Sequence, residues 1–322
     1  MFLVADIGGT NARFAMAQKN SNAIVISDFE KFGDDRFGAF DTTLNHFLDG
    51  LAHRPQLAVL AVAGPVHKGA VTFTNRKWRL DEAEIAEKCG IEQVRMVNDF
   101  VAMAYSVPYV SDDSFISLKP GSGAQNQPIL VAGPGTGFGS CLLVPNKTDW
   151  QAIACEGGHS LYVPRTALEL KVTEALLRKQ EVVSLEAICG GANLPALEAA
   201  LAEVHGRPAS QTAPHEIIAQ AEAGDAFYTD LCQIRANAVI TSIANMALIT
   251  GAQGGVVIAG GVARHLLPFI NTPDTMALFD AIWPEGDFLQ SISVRMLVNP
   301  LAPLIGAASH YLHNNEVSNG SA

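Results

Sequence analysis

The chain has 322 residues, and 48% of them are apolar, which is enough material for two compact domains with buried cores. Its 21 basic and 32 acidic residues leave a net charge of −11, and a surface of that charge repels nucleic acid and anionic membranes. Five scattered cysteines without CxxC spacing indicate reduced thiols and argue against a zinc site or a disulfide framework. We therefore expect a cytoplasmic globular protein that binds neither nucleic acid nor membrane.

One long uncharged segment, residues 236–263, needs a separate explanation. Asn237, Asn245, Gln253 and five glycines interrupt it, and a membrane-spanning helix rarely accepts so many such residues. The segment is therefore predicted to form a buried helix, a turn and a buried strand.

The N-terminal part of the chain alternates between strand and helix patterns. Five apolar runs predict strands, and they are FLVADIG (2–8), ARFAMAQ (12–18), LAVLAVAG (57–64), AVTFTN (70–75) and QVRMVND (93–99). Residues 8–11 are expected to form a hairpin turn between the first two strands. The segment DEAEIAEKCG (81–90) is acidic in its first turn and closed by Gly90, which predicts a helix.

A similar pattern returns after Pro108. The segment PILVAGPGTGFGSCLLV (128–144) is again a strand, a glycine turn and a strand, and GGVVIAGGVAR (254–264) is a buried strand that runs into a glycine pair. Thr166 and Glu169 predict a capping box at the start of a helix. The repeated pattern indicates two similar α/β halves with a boundary near Pro108.

Glycine clusters follow three of the predicted strands, and they are Gly8–Gly9, the alternating Gly133, Gly135, Gly137 and Gly139, and Gly260–Gly261. Turns without side chains let main-chain N–H groups approach an anion closely, and Thr10, Asn11 and Thr136 add neutral donors beside them. An ordinary turn would explain any one cluster, but three together favour phosphate binding. The Walker pattern and the dinucleotide fingerprint are both absent from the sequence, so we expect a hairpin-type phosphate site in each half.

The segments DIGGTNARF, NDF, GPGTGFG, EGGH and AGGV occur in this order along nearly the whole chain. Together they resemble the bacterial glucokinase family. The resemblance implies an α/β fold of two ribonuclease-H-like (actin-like ATPase) domains, with mixed sheets flanked by helices and a cleft between the domains. It also implies a small domain over residues 1–108, completed by a C-terminal helix over 302–314, and a large domain over 109–301.

The activity implied by the resemblance is ATP-dependent phosphorylation of D-glucose to glucose 6-phosphate by a homodimer. From the residues alone, Asn98 or Asp99 is a favoured helix N-cap, whereas the resemblance makes Asp99 the general base for the sugar hydroxyl. A carboxylate is adequate for this because the transition state is loose and the proton is lost late. The resemblance implies that the sugar is bound by Asn75, Asn98, Asp99, Glu156, His159 and Glu186.

Simpler explanations of these residues stay open. Glu156 and His159 would also fit a polar loop that solvent covers. Glu186 follows Ser184 and would also fit an acid in the first turn of a helix, and Asn75 would also fit the end of a strand at a turn.

The first glycine cluster and its flanking strand begin the expected nucleotide site. A carboxylate beside a triphosphate is repelled unless a cation intervenes, so Asp6 is expected to hold Mg²⁺ through water. Alternatively, Asp6 would cap its own turn. The residues expected to bind ATP are Ala5, Asp6, Ile7, Gly8, Gly9, Thr10, Asn11, Gly135, Thr136, Gly137, Gly260 and Gly261.

Three segments depart from the usual pattern of the family, and they are CGGANL (189–194), SLYVP (160–164) and NPLAPLIGAA (299–308). They leave open a kinase for another hexose, such as fructose, mannose or an N-acetylated hexosamine. Many kinases of the repressor-related group carry a cysteine-rich zinc motif, but residues 160–188 hold no cysteine. A non-catalytic regulator that binds sugar or nucleotide is the other alternative, and the presence of Asp99 argues against it.

Overall fold

The computed structural model describes residues 1–8, 11–20, 23–33, 39–73, 79–146, 149–210, 212–283 and 286–319. The chain divides into two compact units. The first consists of Met1–Ser114, Asn146–Ala154 and Asn299–Ala322, and the second of Phe115–Pro145 and Cys155–Val298.

Strands and helices alternate along both units. The strands are β1 (Phe2–Ile7), β2 (Asn11–Asn20), β3 (Ala23–Gly33), β4 (Leu57–Val62), β5 (Ala70–Thr72), β6 (Arg79–Asp81), β7 (Gln93–Asn98), β8 (Phe115–Lys119), β9 (Ile129–Pro134), β10 (Phe138–Pro145), β11 (Trp150–Cys155), β12 (Gly255–Ile258) and β13 (Val294–Leu297). The α-helices are α1 (Phe40–Asp49), α2 (Glu82–Cys89), α3 (Asp99–Ser106), α4 (Ala167–Leu177), α5 (Leu185–Cys189), α6 (Leu194–Val204), α7 (Pro214–Glu222), α8 (Ala226–Thr250), α9 (Gly261–His265), α10 (Leu267–Ile270), α11 (Pro273–Asp280), α12 (Asp287–Ser291) and α13 (Ala302–Asn319).

The main sheet of the first unit has the strand order β3-β2-β1-β4-β7. Strands β1, β2 and β3 are antiparallel neighbours, whereas β1, β4 and β7 run parallel. Strands β1 and β4 therefore lie inside the sheet and are buried on both faces, as their nearly continuous apolar runs predict. Strands β5 and β6 form a separate two-stranded ribbon.

Alternate residues of β1 face two different cores. Leu3, Ala5 and Ile7 pack in a core with apolar side chains of α1 and α2. Phe2 and Val4 pack in another core with side chains of α13. This alternation follows from the period of two residues in a strand, and it places helices on both faces of the sheet.

The sheet of the second unit contains the strand order β10-β9-β12-β13-β8. Strands β9 and β10 form an antiparallel hairpin, and β9, β12 and β13 run parallel. The run β10-β9-β12-β13 therefore repeats the arrangement β2-β1-β4-β7 of the first unit. This confirms the prediction of two similar α/β halves. Strand β11 crosses the division, because residues 150–154 belong to the first unit and Cys155 to the second.

The long uncharged segment forms the end of α8, a left-handed turn at Gly251 and the buried strand β12, as predicted. Helix α8 has 25 residues and lies in the core of the second unit. Among the described residues, no helix combines the length and apolar character needed to cross a membrane.

The start of α4 differs in one detail from the predicted capping box. The hydroxyl of Thr166 accepts the N–H of Glu169 (3.1 Å), as expected. The Glu169 carboxylate, however, accepts the N–H of Arg165 (2.6 Å) and the side-chain amide of Asn237 (3.0 Å). Because Glu169 is buried against α8, its carboxylate accepts a hydrogen bond from Asn237 on α8 as well as one from Arg165 at the start of α4.

Candidate active site

Three parallel strands of the first unit end at one edge of its sheet. Ile7 of β1 is level with Val62 of β4, and Val62 is level with Asn98 of β7. The N–H of Ala63 donates to the carbonyl of Ile7 (3.2 Å). Residues at the carboxyl ends of β1, β4 and β7 therefore lie along one edge, which is where open α/β sheets bind ligands.

Helix α3 begins at this edge and carries Asp99 as its first residue. Asn98 is the N-cap, and its side-chain oxygen accepts the N–H groups of Phe100 (3.0 Å) and Val101 (3.2 Å). Its amide nitrogen donates to the carbonyl of Gly64 (3.1 Å), just after β4. The capping role considered for Asn98 is thus confirmed, and this cap fixes the backbone that carries Asp99.

Asp6 lies opposite Arg13 in the β1/β2 ladder, and the guanidinium of Arg13 donates to its Oδ2 atom (2.5 Å). Burial raises the pKa of Asp6, and the charge of Arg13 opposes that increase. Arg13 is a residue of this site that the sequence pattern does not mark. The predicted hairpin places Arg13 on the strand next to that of Asp6. Which residue lies opposite Asp6 depends on the register of the two strands, and only the structure gives that register.

The carboxyl group of Asp99 has an unusual proton affinity. Its side chain is only partly covered, yet the loss of surrounding water raises its pKa, and the negative charge of Asp6 adds to this effect, bringing it to about 7. The N–H of Phe100, which donates to Asp99 Oδ1 (2.9 Å), acts in the opposite direction. A carboxylate with a pKa near 7 is well matched to act as a general base near neutral pH.

In the second unit, the turn between β9 and β10 is closed by a hydrogen bond from the N–H of Gly135 to the carbonyl of Gly137 (3.0 Å). Close packing requires glycine at position 133, just before this turn, since a Cβ on Gly133 would lie 2.1 Å from the carbonyl oxygen of Ala259. A Cβ on Gly260 would likewise lie 2.4 Å from the carbonyl oxygen of Pro134. The second and third glycine clusters therefore lie side by side.

The outer glycines of these clusters have a different environment. A Cβ on Gly135 or on Gly261 would meet no described atom within 4 Å. Packing among the described residues therefore does not explain glycine at either position. Open main chain here is compatible with the close approach of a phosphate group.

The EGGH turn (residues 156–159) rests on β10. The hydroxyl of Ser140 accepts the N–H of Gly157 (3.1 Å) and donates to the carbonyl of Cys155 (3.1 Å). A Cβ on Gly158 would lie 2.2 Å from the carbonyl oxygen of Phe138, so this glycine is required by packing. The turn directs Glu156 and His159 outward, with 75% and 68% of their side chains exposed.

Replacing Ser140 with alanine removes the two hydrogen bonds by which this β10 side chain holds Cys155 and Gly157 at the EGGH turn. We expect the KM for the hexose to rise about tenfold, since each buried hydrogen bond contributes about 1 kcal/mol and an unpaired group costs more. Steady-state kinetics would measure this, with Ser291→Ala, which removes an exposed hydroxyl bonded to Phe288, as the control. An unchanged hexose KM in Ser140→Ala would contradict a role for this turn in sugar binding.

Glu186 lies in the first turn of α5, where Ser184 is the N-cap. This is the location expected for an acid in the first turn of a helix. Its carboxylate also accepts the N–H of Phe138 (3.0 Å) and lies directly against Gly137. Glu186 is thus in contact with the β9–β10 glycine turn, which the sequence did not indicate.

The predicted site residues fall into separate groups. Asp6, Gly8, Asn98 and Asp99 share the sheet edge of the first unit, whereas the EGGH turn, Glu186 and the second and third glycine clusters belong to the second. The side chains of Ala5 and Ile7 are wholly buried in the core, so only their main chain is available to a ligand. Asn11 begins β2, and its carbonyl accepts the N–H of Gly8 (2.9 Å). Gly9, Thr10 and Asn75 lie outside the described residues.

The carboxylates of Asp6 and Asp99 are compatible with a magnesium ion held through water. Mg²⁺ usually takes one or two carboxylates and completes its shell with water and phosphate oxygens. Asp6 pairs with Arg13, and the charge of Asp6 also acts on Asp99, so the two acids together leave local negative charge for a cation to neutralise. Within the described ranges, no group of three or more His, Cys, Asp or Glu residues forms a metal site by itself.

Similarity to solved structures defines the class of protein. The crystal structure of glucokinase from an Antarctic psychrotroph has a TM-score of 0.82 and 32% identity, and the match covers 97% of this chain and 98% of that one. A ROK family glucokinase from Streptomyces griseus, crystallised in complex with glucose and AMPPNP, has a TM-score of 0.64 at 19% identity over 95% and 97% of the two chains. The second likeness concerns the fold alone. The chain has the fold of the actin-like sugar kinases.

Sequence comparison narrows this class to one family. The family model for glucokinase matches residues 3–314. Glucokinase of Caulobacter sp. (strain K31) is 33% identical over 312 residues, which are 95% of this chain and 93% of that protein. The chain belongs to the glucokinase family.

Proposed function

We propose that the protein transfers the γ-phosphoryl group of ATP to the 6-hydroxyl of D-glucose, giving glucose 6-phosphate and ADP. The observation that carries the proposal is Asp99, held at the start of α3 by the Asn98 cap, with a pKa of about 7. Membership of the glucokinase family supports the choice of substrate.

In the proposed reaction, the 6-oxygen of the sugar attacks the γ-phosphorus while the bond to the β,γ-bridging oxygen breaks. Asp99 accepts the hydroxyl proton as the new oxygen–phosphorus bond forms, and ADP leaves. Asn98 contributes by fixing the backbone of Asp99 through its bonds to Phe100 and Val101. Asn75, Glu156, His159 and Glu186 are assigned to the remaining hydroxyls of the sugar.

The glycine clusters are assigned to the phosphate groups of ATP. Their main-chain N–H groups carry partial positive charge and can approach phosphate oxygens where no Cβ intervenes. Gly135 and Gly261, whose Cβ positions are open, support this assignment. Asp6 would hold Mg²⁺ through water, and the ion would neutralise phosphate charge. A cytoplasmic location and a homodimeric state are further parts of the proposal.

The test is a coupled assay of the purified protein with ATP, magnesium and a panel of hexoses. We expect glucose to give the highest kcat/KM. A higher kcat/KM for fructose, mannose or an N-acetylated hexosamine would show that the protein is a kinase for that sugar. Sugar binding by calorimetry without any product would favour the non-catalytic regulator.

The pH dependence of kcat/KM tests the role of Asp99 independently. The base must be ionised, and its pKa is raised to about 7 rather than lowered. We therefore expect kcat/KM to be constant above about pH 8 and to fall about tenfold per unit below about pH 6. His159→Gln is the control variant, because an imidazole can also titrate in this range. Loss of the acidic limb in that variant would assign it to His159 and not to Asp99.

A further inference from the structure

Arg235 is a buried cation on α8 for which the proposed reaction has no role. Only 5% of its surface is exposed. In the part of the chain that the structure describes, it forms no ion pair with a carboxylate, and its Nε atom has no hydrogen-bond partner. Burying an uncompensated guanidinium is costly, so a purely structural position would be filled more readily by an apolar side chain.

The contacts of Arg235 are with the C-terminal end of α5. One guanidinium nitrogen donates to the carbonyl of Cys189 (2.8 Å), the last residue of that helix. In return, the thiol of Cys189 donates to the main-chain carbonyl of Arg235 (3.9 Å). Helices α5 and α8 are thus joined by two polar contacts inside the core.

The segment after Cys189 is joined to the β9–β10 glycine turn. The N–H groups of Gly191 and Ala192 donate to the carbonyls of Gly135 and Thr136, both at 2.9 Å. Gly191 fits closely here, since a Cβ on it would lie 3.1 Å from the carbonyl oxygen of Gly135. The main chain of residues 190–192 therefore lies against the glycine turn.

Glu186 belongs to the same assembly. Its carboxylate holds the N–H of Phe138 (3.0 Å) at the far side of the turn. Its main-chain carbonyl accepts the N–H of Gly190 (2.8 Å) and the side-chain amide of Asn193 (3.2 Å). The turn over residues 135–138, helix α5 and residues 190–193 form one hydrogen-bonded block, and Arg235 attaches that block to α8.

We propose that Arg235 is a positioning residue, which sets the location of both the glycine turn and Glu186 and so tunes the binding of nucleotide and sugar together. The proposal rests on the proposed function, because it uses the assignments of the turn to ATP and of Glu186 to the hexose. A guanidinium suits this place since it brings a charged N–H donor to the carbonyl of Cys189, which an apolar side chain cannot do.

Arg235→Met tests the proposal, since methionine fills much of the same space without a donor. We expect the KM values for ATP and for the hexose each to rise about tenfold, as for the loss of a charge-assisted hydrogen bond, with a smaller change in kcat. We expect hydrogen exchange to accelerate at the amides of Phe138, Gly191 and Ala192. Arg235→Lys, which keeps the charge but replaces the planar guanidinium with a compact ammonium, is expected to show smaller changes in the same direction.

Asn237→Ala is the matched control, because Asn237 lies on the same helix but binds Glu169 on α4. It is expected to lower the melting temperature without changing either KM. Unchanged KM values and exchange rates in a folded Arg235→Met protein would overturn the proposal, as would equal effects in Asn237→Ala. If Arg235→Met does not fold, Arg235→Lys decides in its place: altered KM values and faster exchange support the proposal, and wild-type behaviour overturns it. Failure of the wild-type protein to phosphorylate any hexose would refute the proposed function, whereas the exchange measurement reports on Arg235 without turnover.

Discussion

Replacing Asp99 with asparagine is expected to lower kcat for glucose phosphorylation by about 10²–10⁴-fold, the range that a general base contributes. Asparagine has nearly the same shape, and its side-chain oxygen can still accept the N–H of Phe100 that Asp99 accepts now. The substitution therefore removes the base without disturbing the start of α3. Steady-state kinetics with saturating ATP and glucose would measure the loss, and thermal unfolding would confirm that the fold is retained.

Asp49→Asn provides the control for this substitution. Asp49 is an exposed acid at the end of α1 in the same unit, its carboxylate pairs with Arg54, and its replacement is expected to leave kcat unchanged. A kcat for Asp99→Asn within tenfold of the wild type would show that the proton is not taken by Asp99. The residual activity would then come from positioning and charge neutralisation alone.

Replacing Gly306 with alanine is expected to reduce both stability and activity. Gly306 lies on α13 where that helix crosses α3, and an added Cβ would lie 1.6 Å from the carbonyl oxygen of Ala102. The two helices must move apart, which costs about 1–3 kcal/mol or more. Ala102 is in the first turn of α3, so the movement also displaces Asp99, and a shift of about 1 Å at such a group can lower kcat about 10²-fold.

Chemical denaturation and steady-state kinetics would measure the two effects of Gly306→Ala. Gly50→Ala is the matched control, because Gly50 ends α1 at a φ of −79° and an added Cβ there makes only an ordinary contact, 3.4 Å from the carbonyl oxygen of Phe47. Its effect should stay within about 0.5 kcal/mol. A Gly306→Ala protein with full activity and stability would mean that α13 does not set the position of α3.

The local elements were predictable because their signals lie within short segments. Buried strands such as β1 and β4 appear as continuous apolar runs, and α2 is marked by its acidic first turn and by Gly90, which closes the helix in the left-handed conformation. The N-cap at Asn98 is likewise a local signal, since the side chain bonds N–H groups two and three residues ahead.

The division of the chain could be anticipated only in outline. The repeated strand–glycine turn–strand pattern indicated two halves, but residues 146–154 belong with the first unit although they follow β10 of the second. The side chain of Asp149 in this segment contacts His313 of α13. This contact joins residues that are far apart in the chain, and the periodic pattern of apolar residues does not predict it.

The sequence by itself determined the alternation of strands and helices, the placement of glycine at the turns and the acid at the start of α3. Each of these follows from interactions within a few residues, so its signal is local. Only the tertiary structure decided that Arg13 faces Asp6, that Glu186 bonds Phe138, and that Arg235 reaches Cys189. These pairings depend on strand register and helix packing, which bring together segments whose separation in the chain carries no information about their contact.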